Sequence, residues 1–210
     1  FLRASATSGT DRFTQEVQKI AYHHIRSRQF LKPAEVRISV LDVKIPTPLK
    51  VGYIMGVGDE VGEATEQMGT DLTYLGEDDL VSGDLSQYEV IITGVRAYLN
   101  RKDLIQNNAR LLEYVHNGGH LVVQYNKYEL MREQFTPYPA KIRQPHDRIT
   151  VEEAPVTILE PRHQIFRSPN RIHDQDWNDW VQERGLYFFG EWDSHFIPLL
   201  EIQDPWPYNN

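Results

Sequence analysis

Between residues 49 and 126 the hydrophobic positions form short unbroken runs, separated by polar segments with helical spacing. The runs are LKVGYIMG, DLTYLG, YEVIITG and HLVVQ, and their apolar residues do not alternate with polar ones. Unbroken apolar strands are typical of a parallel sheet whose two faces are both covered by helices. Because strands alternate with helices through short connections, the pattern predicts a flavodoxin-like doubly wound α/β domain over residues 49–210.

Two segments between these runs carry helix signals. EVGEATEQMG has a helical rhythm that ends at Gly69, whereas EDDLVSGDLSQ is predicted to be a polar connection. The clearest helix is predicted to begin at Asn100 as its N-cap, with Asp103 in the first turn, and to end at Gly118 or Gly119. Its predicted apolar face consists of Leu104, Leu111, Leu112 and Val115.

The regions on either side have weaker patterns. Residues 36–45 predict a strand closed by Pro46 and Pro48, and residues 16–25 predict a strand, with a short helix as the alternative. Residues 135–172 are rich in proline and charge and contain the short strand-like pieces RITV and APVTIL. DQDWNDWVQERG predicts a short helix with Asp174 as N-cap and Gly185 as its stop, and LYFFGEW predicts a strand.

Composition excludes several function classes. The chain has 210 residues, 40% of them hydrophobic and 25% charged, enough for one large domain or one domain with an appendage. A net charge of -8 argues against nucleic-acid binding, which needs a basic face. The absence of cysteine excludes disulfides, thiolate metal sites and cysteine nucleophiles. No apolar run approaches the roughly 20 residues that span a bilayer.

Since the chain begins at Phe1 without a leader, we expect an excised or processed piece of a longer protein.

Three loops at the carboxyl ends of the predicted strands form the candidate site, because ligands of doubly wound sheets bind outside these ends. The loops follow the strands LKVGYIMG, YEVIITG and HLVVQ. The predicted cleft residues are Asp59, Glu60, Arg96, Tyr98, Gln124, Tyr125 and Asn126.

The first loop has two readings. Gly56 and Gly58 match the start of a dinucleotide-binding loop, but Val61 stands at the place of the third glycine. Asp59 and Glu60 also put negative charge where a pyrophosphate would lie. A tight strand-to-helix turn with helix-starting acids is therefore the favoured interpretation.

The second loop places Arg96 directly after a buried strand, so its guanidinium is predicted at the rim of the site. One role is to hold a carboxylate ligand through two parallel hydrogen bonds. The other, which we favour, is an ion pair with Asp59 or Glu60 that ties two loops together.

The third loop places Tyr125 or Asn126 at the position of a nucleophile elbow. Tyrosine is a weak nucleophile because its pKa is about 10, and no serine lies in a G-x-S-x-G sequence. His116 and His120 flank the entry end of the same strand, away from the site. The histidines that remain as possible neighbours of the site are His146, His163, His173 and His195. A nucleophilic enzyme is therefore not predicted.

Two further groups of residues have a structural and a functional interpretation. The first group contains side chains of the types that bind metals, namely His173, Asp174, Asp176 and Asp179, followed later by Asp193 and His195. Acids at a helix start already explain Asp174 and Asp176, so neither a metal nor a cofactor is predicted. For the C-terminal aromatic residues we favour core packing over a sugar-stacking or protein-contact surface. They are Trp177, Trp180, Tyr187, Phe188, Phe189, Trp192 and Trp206.

Five blocks of sequence resemble one family across residues 17–204. They are VGYIMGVGDEVGEATEQMG, DDLVSGDLSQYEVIITGVRAYLNR, LLEYVHNGGHLVVQYN, APVTILEPRHQIF and WVQERGLYFFGEWD. They are similar to the C-terminal region of long bacterial LmbE-like (PIG-L-type) N-acetylglucosaminyl deacetylase proteins. In that family a zinc deacetylase domain precedes a module similar to class I glutamine amidotransferases and to the ThuA-like group.

The resemblance implies that residues 1–48 are a lead-in and the tail of a preceding β-rich domain. It implies that residues 49–210 are the amidotransferase-like domain, which continues beyond residue 210. The other domains of the parent chain would be its partners, and a periplasmic or extracellular setting is implied. Neither the A-H-P-D-D zinc motif nor the G-x-C-x-G elbow is present, since residues 123–127 read VQYNK.

Three functional hypotheses follow. The first is a non-catalytic amidotransferase-like accessory module of a larger carbohydrate-directed hydrolase, which binds a carbohydrate or small molecule or packs against other domains. The second is a hydrolase or isomerase in which Asp59 or Glu60 is the general base and Arg96 an electrophilic anchor. The third is a protein-interaction module built on the C-terminal tryptophans.

Overall fold

The computed structural model of the chain describes residues 1–38, 40, 42–178 and 185–207. It divides into two compact units, Phe1–Val43 and Lys44–Asn210. The division lies a few residues before the boundary predicted after residue 48.

The first unit consists of three antiparallel strand pairs, β1 with β6, β2 with β3 and β4 with β5. The strands are β1 (Leu2–Arg3), β2 (Ala6–Ser8), β3 (Asp11–Phe13), β4 (Gln15–Ile20), β5 (Arg28–Pro33) and β6 (Glu35–Val36). Its described residues are all exposed except Ala34, which is partly buried. The strand favoured over residues 16–25 is present as β4.

The strand predicted over residues 36–45 is wrong for most of its length. β6 ends at Val36, and residues 37, 38, 40 and 42–45 are not in a strand, while residues 39 and 41 lie outside the described part. β1 offers a partner to Glu35 and Val36 alone, and a strand needs such a partner for its backbone hydrogen bonds.

The second unit is mixed α/β and is built on a four-stranded parallel sheet in the order β10-β9-β7-β8. The strands are β7 (Lys50–Ile54), β8 (Asp71–Tyr74), β9 (Val90–Thr93) and β10 (His120–Val123). The four strands predicted from the apolar runs are thus confirmed. All four carboxyl ends lie at the same edge of the sheet, because every pairing is parallel.

Four α-helices connect these strands. They are α1 (Val61–Gln67), α2 (Glu77–Ser82), α3 (Ala97–Asn100) and α4 (Lys102–His116). The two predicted helices are confirmed as α1 and α4, and Gly69 and Gly118 adopt positive φ just after them. The prediction of Asn100 as N-cap of α4 is wrong. Arg101 has that position, with an extended backbone, because the chain first makes the separate short helix α3.

The polar connection predicted for EDDLVSGDLSQ is also wrong. This segment contains α2 and a 3-10 helix over Leu85–Gln87. Leu80 and Leu85 hold this segment against the protein, because both side chains are buried in the same core as α4. Two leucines among so many acids are too few to produce a recognisable helical period.

The core lies between one face of the sheet and the helices α2 and α4. Ile54 and Ile91 from the sheet meet Leu104 and Leu111 from α4, and all four are almost fully buried. Burial of a side chain of this size contributes about 1.5–3 kcal/mol. Tyr53, whose side chain alternates to the other face, is also fully buried.

β10 is less covered than its apolar sequence predicts. It is one of the two edge strands, with β9 as its neighbour, and Val122 and Val123 are 47% and 41% exposed. The prediction of full cover on both faces is therefore wrong at this edge, within the part of the chain that the structure describes.

After the parallel sheet, the described residues form three short antiparallel pairs, β11 with β15, β12 with β14 and β13 with β16. The strands are β11 (Ala140–Ile142), β12 (Arg148–Ile149), β13 (Val156–Ile158), β14 (Gly185–Leu186), β15 (Phe189–Trp192) and β16 (Leu200–Ile202). The single strand predicted for LYFFGEW is two strands, because Tyr187 breaks it with a left-handed backbone at φ 62.

The helix predicted for DQDWNDWVQERG begins as a 3-10 helix over Asp174–Trp177, with His173 rather than Asp174 at the N-cap. Residues 179–184 of that prediction lie outside the described residues.

Candidate functional site

The loops after β7, β9 and β10 meet at the carboxyl edge of the sheet. The amide of Val57 donates to the carbonyl of Val95 at 2.9 Å, which joins the first loop to the second. The amide of Arg96 donates to the carbonyl of Tyr125 at 2.7 Å, which joins the second loop to the third. The parallel strand order thus brings together the three loops that the sequence singled out.

A chain of side-chain hydrogen bonds crosses this edge. Gln124 Nε2 donates to the hydroxyl of Tyr53 at 2.9 Å, and that hydroxyl donates to Asp59 Oδ1. Burial and the bond to Asp59 raise the pKa of Tyr53 above its ordinary value. The amides of Val61 and Val95 also donate to Asp59, each at 3.1 Å. Asp59 therefore clamps the first two loops and reaches the third through Tyr53.

Glu60 lies beside Asp59 but is exposed and precedes the first turn of α1. Its side chain makes no capping hydrogen bond to that helix. Glu60 is therefore placed on the surface next to the clamp rather than inside it.

Arg96 pairs with Glu129, a residue that the sequence analysis did not select. Arg96 Nε lies 2.7 Å from Glu129 Oε1, and Glu129 is buried in a 3-10 helix over Tyr128–Met131. The hydrogen bond to Glu129 raises the pKa of Arg96 above its ordinary value. The favoured ion pair of Arg96 with Asp59 or Glu60 is therefore wrong, because Glu129 reaches the guanidinium from the loop after β10.

Tyr98 lies in the core and not in the cleft. Its side chain is 2% exposed and its hydroxyl donates to Asn108 Oδ1 at 2.8 Å. Its ring packs on Phe135 with 4.9 Å between ring centroids. Tyr98 belongs to the first turn of α3, which turns this side chain toward α4.

The elbow position carries the phenol of Tyr125 and the amide of Asn126. Tyr125 is 39% exposed, whereas Asn126 is 7% exposed. Asn126 Nδ2 donates to the carbonyl of Gln124 at 2.8 Å. The Oδ1 atom of Asn126 and the hydroxyl of Thr93 are buried polar atoms without a hydrogen-bond partner among the described residues.

The ring of Tyr125 belongs to a group of four rings, called here the tyrosine cluster and defined as Tyr125, Tyr128, His146 and Tyr187. Tyr187 lies at its centre, with ring-centroid distances of 6.2 Å to Tyr125, 5.0 Å to Tyr128 and 4.2 Å to His146. The Nζ atom of Lys127 lies 5.2 Å from the centroid of the Tyr187 ring. The cluster forms an aromatic surface next to the three loops.

Backbone strain is concentrated here. Arg96 with φ 52 and Tyr187 with φ 62 are the non-glycine residues with a left-handed backbone in the described part of the chain. This conformation costs a residue with a Cβ roughly 1–2 kcal/mol. Strained residues of this kind cluster at functional sites, where the surrounding structure holds them.

The four histidines that remained possible neighbours of the site separate in the structure. His146 joins the tyrosine cluster, and its Nδ1 lies 3.4 Å from the Tyr128 hydroxyl. The other three make hydrogen bonds within their own local segments, and they are His163, His173 and His195. Among the described residues, no three His, Asp or Glu side chains converge in a way that holds a metal ion.

The C-terminal tryptophans differ from the core packing that we favoured. Trp192 is 46% exposed and Trp206 is 83% exposed, so core packing is wrong for both. Trp177 is partly buried, and Trp180 lies outside the described residues.

Tyr128 and Glu129 escaped the sequence analysis, and Tyr187 was named only among the C-terminal aromatic residues, not as a neighbour of these loops. Tyr128 and Glu129 lie only a few positions beyond the loop that was selected, but a 3-10 helix is needed to turn Glu129 inward. Tyr187 comes from a distant part of the sequence and reaches the site through the pairing of β14 with β12. No local pattern could reveal that contact.

Comparisons of the chain with protein-family models, with curated proteins and with solved structures give no match. In the described residues no helix has the length and apolar character that crossing a membrane requires.

Proposed function

We propose that the chain is a non-catalytic, amidotransferase-like module that binds a carbohydrate-class ligand for a larger carbohydrate-directed hydrolase. The observation that carries the proposal is the elbow position after β10. This position holds Tyr125, which is 39% exposed and belongs to the tyrosine cluster, and the buried Asn126. A catalytic amidotransferase would need a nucleophile at the same position. Exposed aromatic rings suit the apolar face of a sugar ring.

The strand order supports the finer fold assignment within this proposal. Numbered along the chain, the four parallel strands lie in the order 2-1-3-4, which begins the flavodoxin-like order 2-1-3-4-5. The same resemblance leads us to propose that Phe1–Val43 is part of a preceding β-rich domain. Its exposed antiparallel pairs support this assignment, because two-stranded ribbons are marginally stable alone. An exported setting for the parent protein is part of the same proposal.

The arrangement of Asp59 argues against the acid–base alternative. A carboxylate has about four lone-pair sites, and Asp59 already accepts from Tyr53, Val61 and Val95. A general base has to reach a substrate proton directly. Asp59 is engaged as a clamp between loops, and Arg96 is engaged with Glu129 rather than held ready for a substrate.

The test is ligand-dependent thermal unfolding of the 210-residue chain against amino sugars and their oligomers. A ligand at 100 times its Kd adds about 2.7 kcal/mol of stability, which is roughly 5–10 °C in Tm for a chain of this size. We expect such a shift with at least one amino sugar, and we expect Tyr125→Ala to remove it. Tyr138→Ala is the matched control, because Tyr138 is 40% exposed and also packs on other rings.

Two results would overturn the proposal. One is release of ammonia from glutamine, or cleavage of an acetamido sugar, by the purified chain. The other is the absence of any sugar-dependent shift across the panel.

The exposure of Trp192 and Trp206 favours a second candidate, a contact surface on the C-terminal tryptophans. If these residues form the contact, Trp206→Ala weakens the binding of a partner protein, whereas Tyr125→Ala leaves that binding unchanged. The two candidates thus give opposite results with the same pair of variants.

A further inference from the structure

A cleft of about 590 Å³ opens beside the tyrosine cluster. It lies between the 3-10 helix over Tyr128–Met131 and the paired strands β11 and β15. We call it the basic cleft, and its polar lining consists of Tyr128, Arg132, Lys141, Arg143, Gln144 and Glu191.

The charge of the basic cleft is opposite to that of the chain. Arg132, Lys141 and Arg143 line the cleft with one acid, Glu191, and Arg143 also pairs with Asp147, which does not line it, at 3.5 Å. Three cations thus stand against two acids, although the net charge of the whole chain is -8. A local excess of positive charge on an acidic protein attracts anions and repels cations. The cleft therefore selects for an anionic group.

The cations of the cleft remain available to a ligand. Lys141 lies 3.1 Å from Glu191, but both side chains are about three-quarters exposed at 75% and 74%. Exposed ion pairs of this kind contribute little to stability, so a bound anion can replace Glu191 at little cost. Arg132 has no ion pair among the described residues and is exposed. Its planar guanidinium can hold a carboxylate through two parallel hydrogen bonds.

Tyr128 joins the basic cleft to the tyrosine cluster. One side of Tyr128 lines the cleft, and its ring packs edge-on against Tyr187 at 5.0 Å. Its hydroxyl donates to the carbonyl of Arg143 at 3.2 Å, which fixes the ring between the two surfaces. A ligand that contacts the rings therefore has a positively charged cleft directly beside it.

We propose that the ligand is an acidic carbohydrate, with a sugar ring on the tyrosine cluster and a carboxylate in the basic cleft. This inference rests on the proposed function and names the ligand class of the same site. A uronic acid residue linked to an amino sugar has both parts, the carboxylate and the neighbouring ring. Arg132 and Lys141 bind the carboxylate, and Tyr125 and Tyr187 contact the ring.

The test compares two disaccharides by titration calorimetry on the 210-residue chain. One is the neutral disaccharide of N-acetylglucosamine, and the other contains glucuronic acid and N-acetylglucosamine. We expect the acidic disaccharide to bind roughly tenfold more tightly at low salt, as one charge-assisted contact provides. The preference should disappear between about 0.01 M and about 1 M salt, where the screening length falls from roughly 30 Å to 3 Å.

Variants assign the preference to the cleft. Arg132→Ala and Lys141→Ala should each remove most of the tenfold preference while the neutral disaccharide binds as before. Arg162→Ala is the control, because Arg162 is an exposed arginine that does not line the cleft. That variant has the same change in net charge and should keep the preference.

The outcomes separate this inference from the proposed function. Equal binding of both disaccharides, still weakened by Tyr125→Ala, overturns the acidic ligand but leaves the carbohydrate site in place. Stabilisation by acetate alone, equal to that by the acidic disaccharide, overturns it as well, because the cleft is then an anion site unconnected to a sugar. If neither disaccharide binds, the acidic-ligand inference fails, and the proposed function fails with it only if no amino sugar of the panel raises the Tm.

Discussion

The guanidinium of Arg96 lies against the carboxylate of Glu129, with Nε 2.7 Å from Oε1, and the Glu129 side chain is 4% exposed. The pair joins the loop after β9 to the 3-10 helix that follows β10. Arg96 has a left-handed backbone at φ 52, and its side chain and its amide both bond to the segment after β10. This pair, rather than the predicted pair of Arg96 with Asp59 or Glu60, fixes the second loop.

Arg96→Ala should therefore destabilise the chain strongly. The substitution leaves the Glu129 carboxylate buried without its cation, and the loss of one partner of a buried pair costs about 3 kcal/mol or more. Urea unfolding measures the change. Arg143→Ala is the control, because Arg143 and Asp147 form an exposed pair with 61% and 43% exposure, worth about 0–1 kcal/mol. Equal losses in the two variants would contradict a structural role for the Arg96 pair.

The same pair should make stability depend on acid pH. Burial acts to raise the pKa of Glu129, but hydrogen bonds from Arg96 and the backbone outweigh it, so the pKa lies below its ordinary value of 4.5. Since the unfolded chain takes up this proton first, the contribution is complete above about pH 4.5 and is lost as the pH falls through the lower folded pKa.

Glu129→Gln should remove that component of the pH dependence. The difference in unfolding free energy between the wild type and Glu129→Gln is expected to be largest at neutral pH and to shrink below pH 4.5. Urea unfolding at a series of pH values measures it, and the subtraction cancels the other carboxylates. A difference that stays constant from neutral to acid pH would show that folding does not change the pKa of Glu129, and a difference that grows toward acid pH would show that folding raises that pKa; either result would contradict the prediction.

Tyr53→Phe tests the hydrogen-bond chain across the site. The variant keeps the buried ring but removes the hydroxyl between Asp59 and Gln124, and a bond to a charged group is worth about 2 kcal/mol. Tyr74→Phe is the control, since the Tyr74 hydroxyl makes no hydrogen bond that involves the described residues and its ring lies 5.7 Å from that of Tyr53. If both variants unfold at the same denaturant concentration, the hydrogen bonds of the Tyr53 hydroxyl contribute nothing to the stability of the fold.

The sheet could be predicted from the sequence because its signal is local. β7, β8, β9 and β10 each coincide with an apolar run, and α4 follows from one apolar face and the glycine at its end. The exposure of the strand residues could not be predicted, because it depends on the position of each strand in the sheet. The sequence predicts Val122 and Val123 to be buried, yet both are exposed because β10 is an edge strand.

The candidate site could be predicted only in part, for the same reason. Asp59, Arg96 and Gln124 were found because the carboxyl ends of parallel strands share an edge. Tyr98 was predicted to line the cleft but lies in the core, because the direction of a side chain in α3 depends on where that helix starts. The contacts of Glu129 and Tyr187 join segments far apart in sequence, and no period or motif encodes them.

Gly56→Ala should disrupt the carboxyl edge where the loops meet. A Cβ at Gly56 would lie 2.0 Å from the carbonyl oxygen of Val95, and its nearest neighbours are all backbone atoms of Gly94 and Val95, which cannot turn aside as a side chain can. We expect a loss of about 3 kcal/mol or more, at the upper end of the cost of overpacking. Gly76→Ala is the control, because its nearest side-chain neighbour is an Asp79 oxygen at 3.7 Å, so the cost should stay within about 1 kcal/mol. Urea unfolding of both variants decides the matter, and a Gly56→Ala chain as stable as Gly76→Ala would mean that the two loops do not pack this closely.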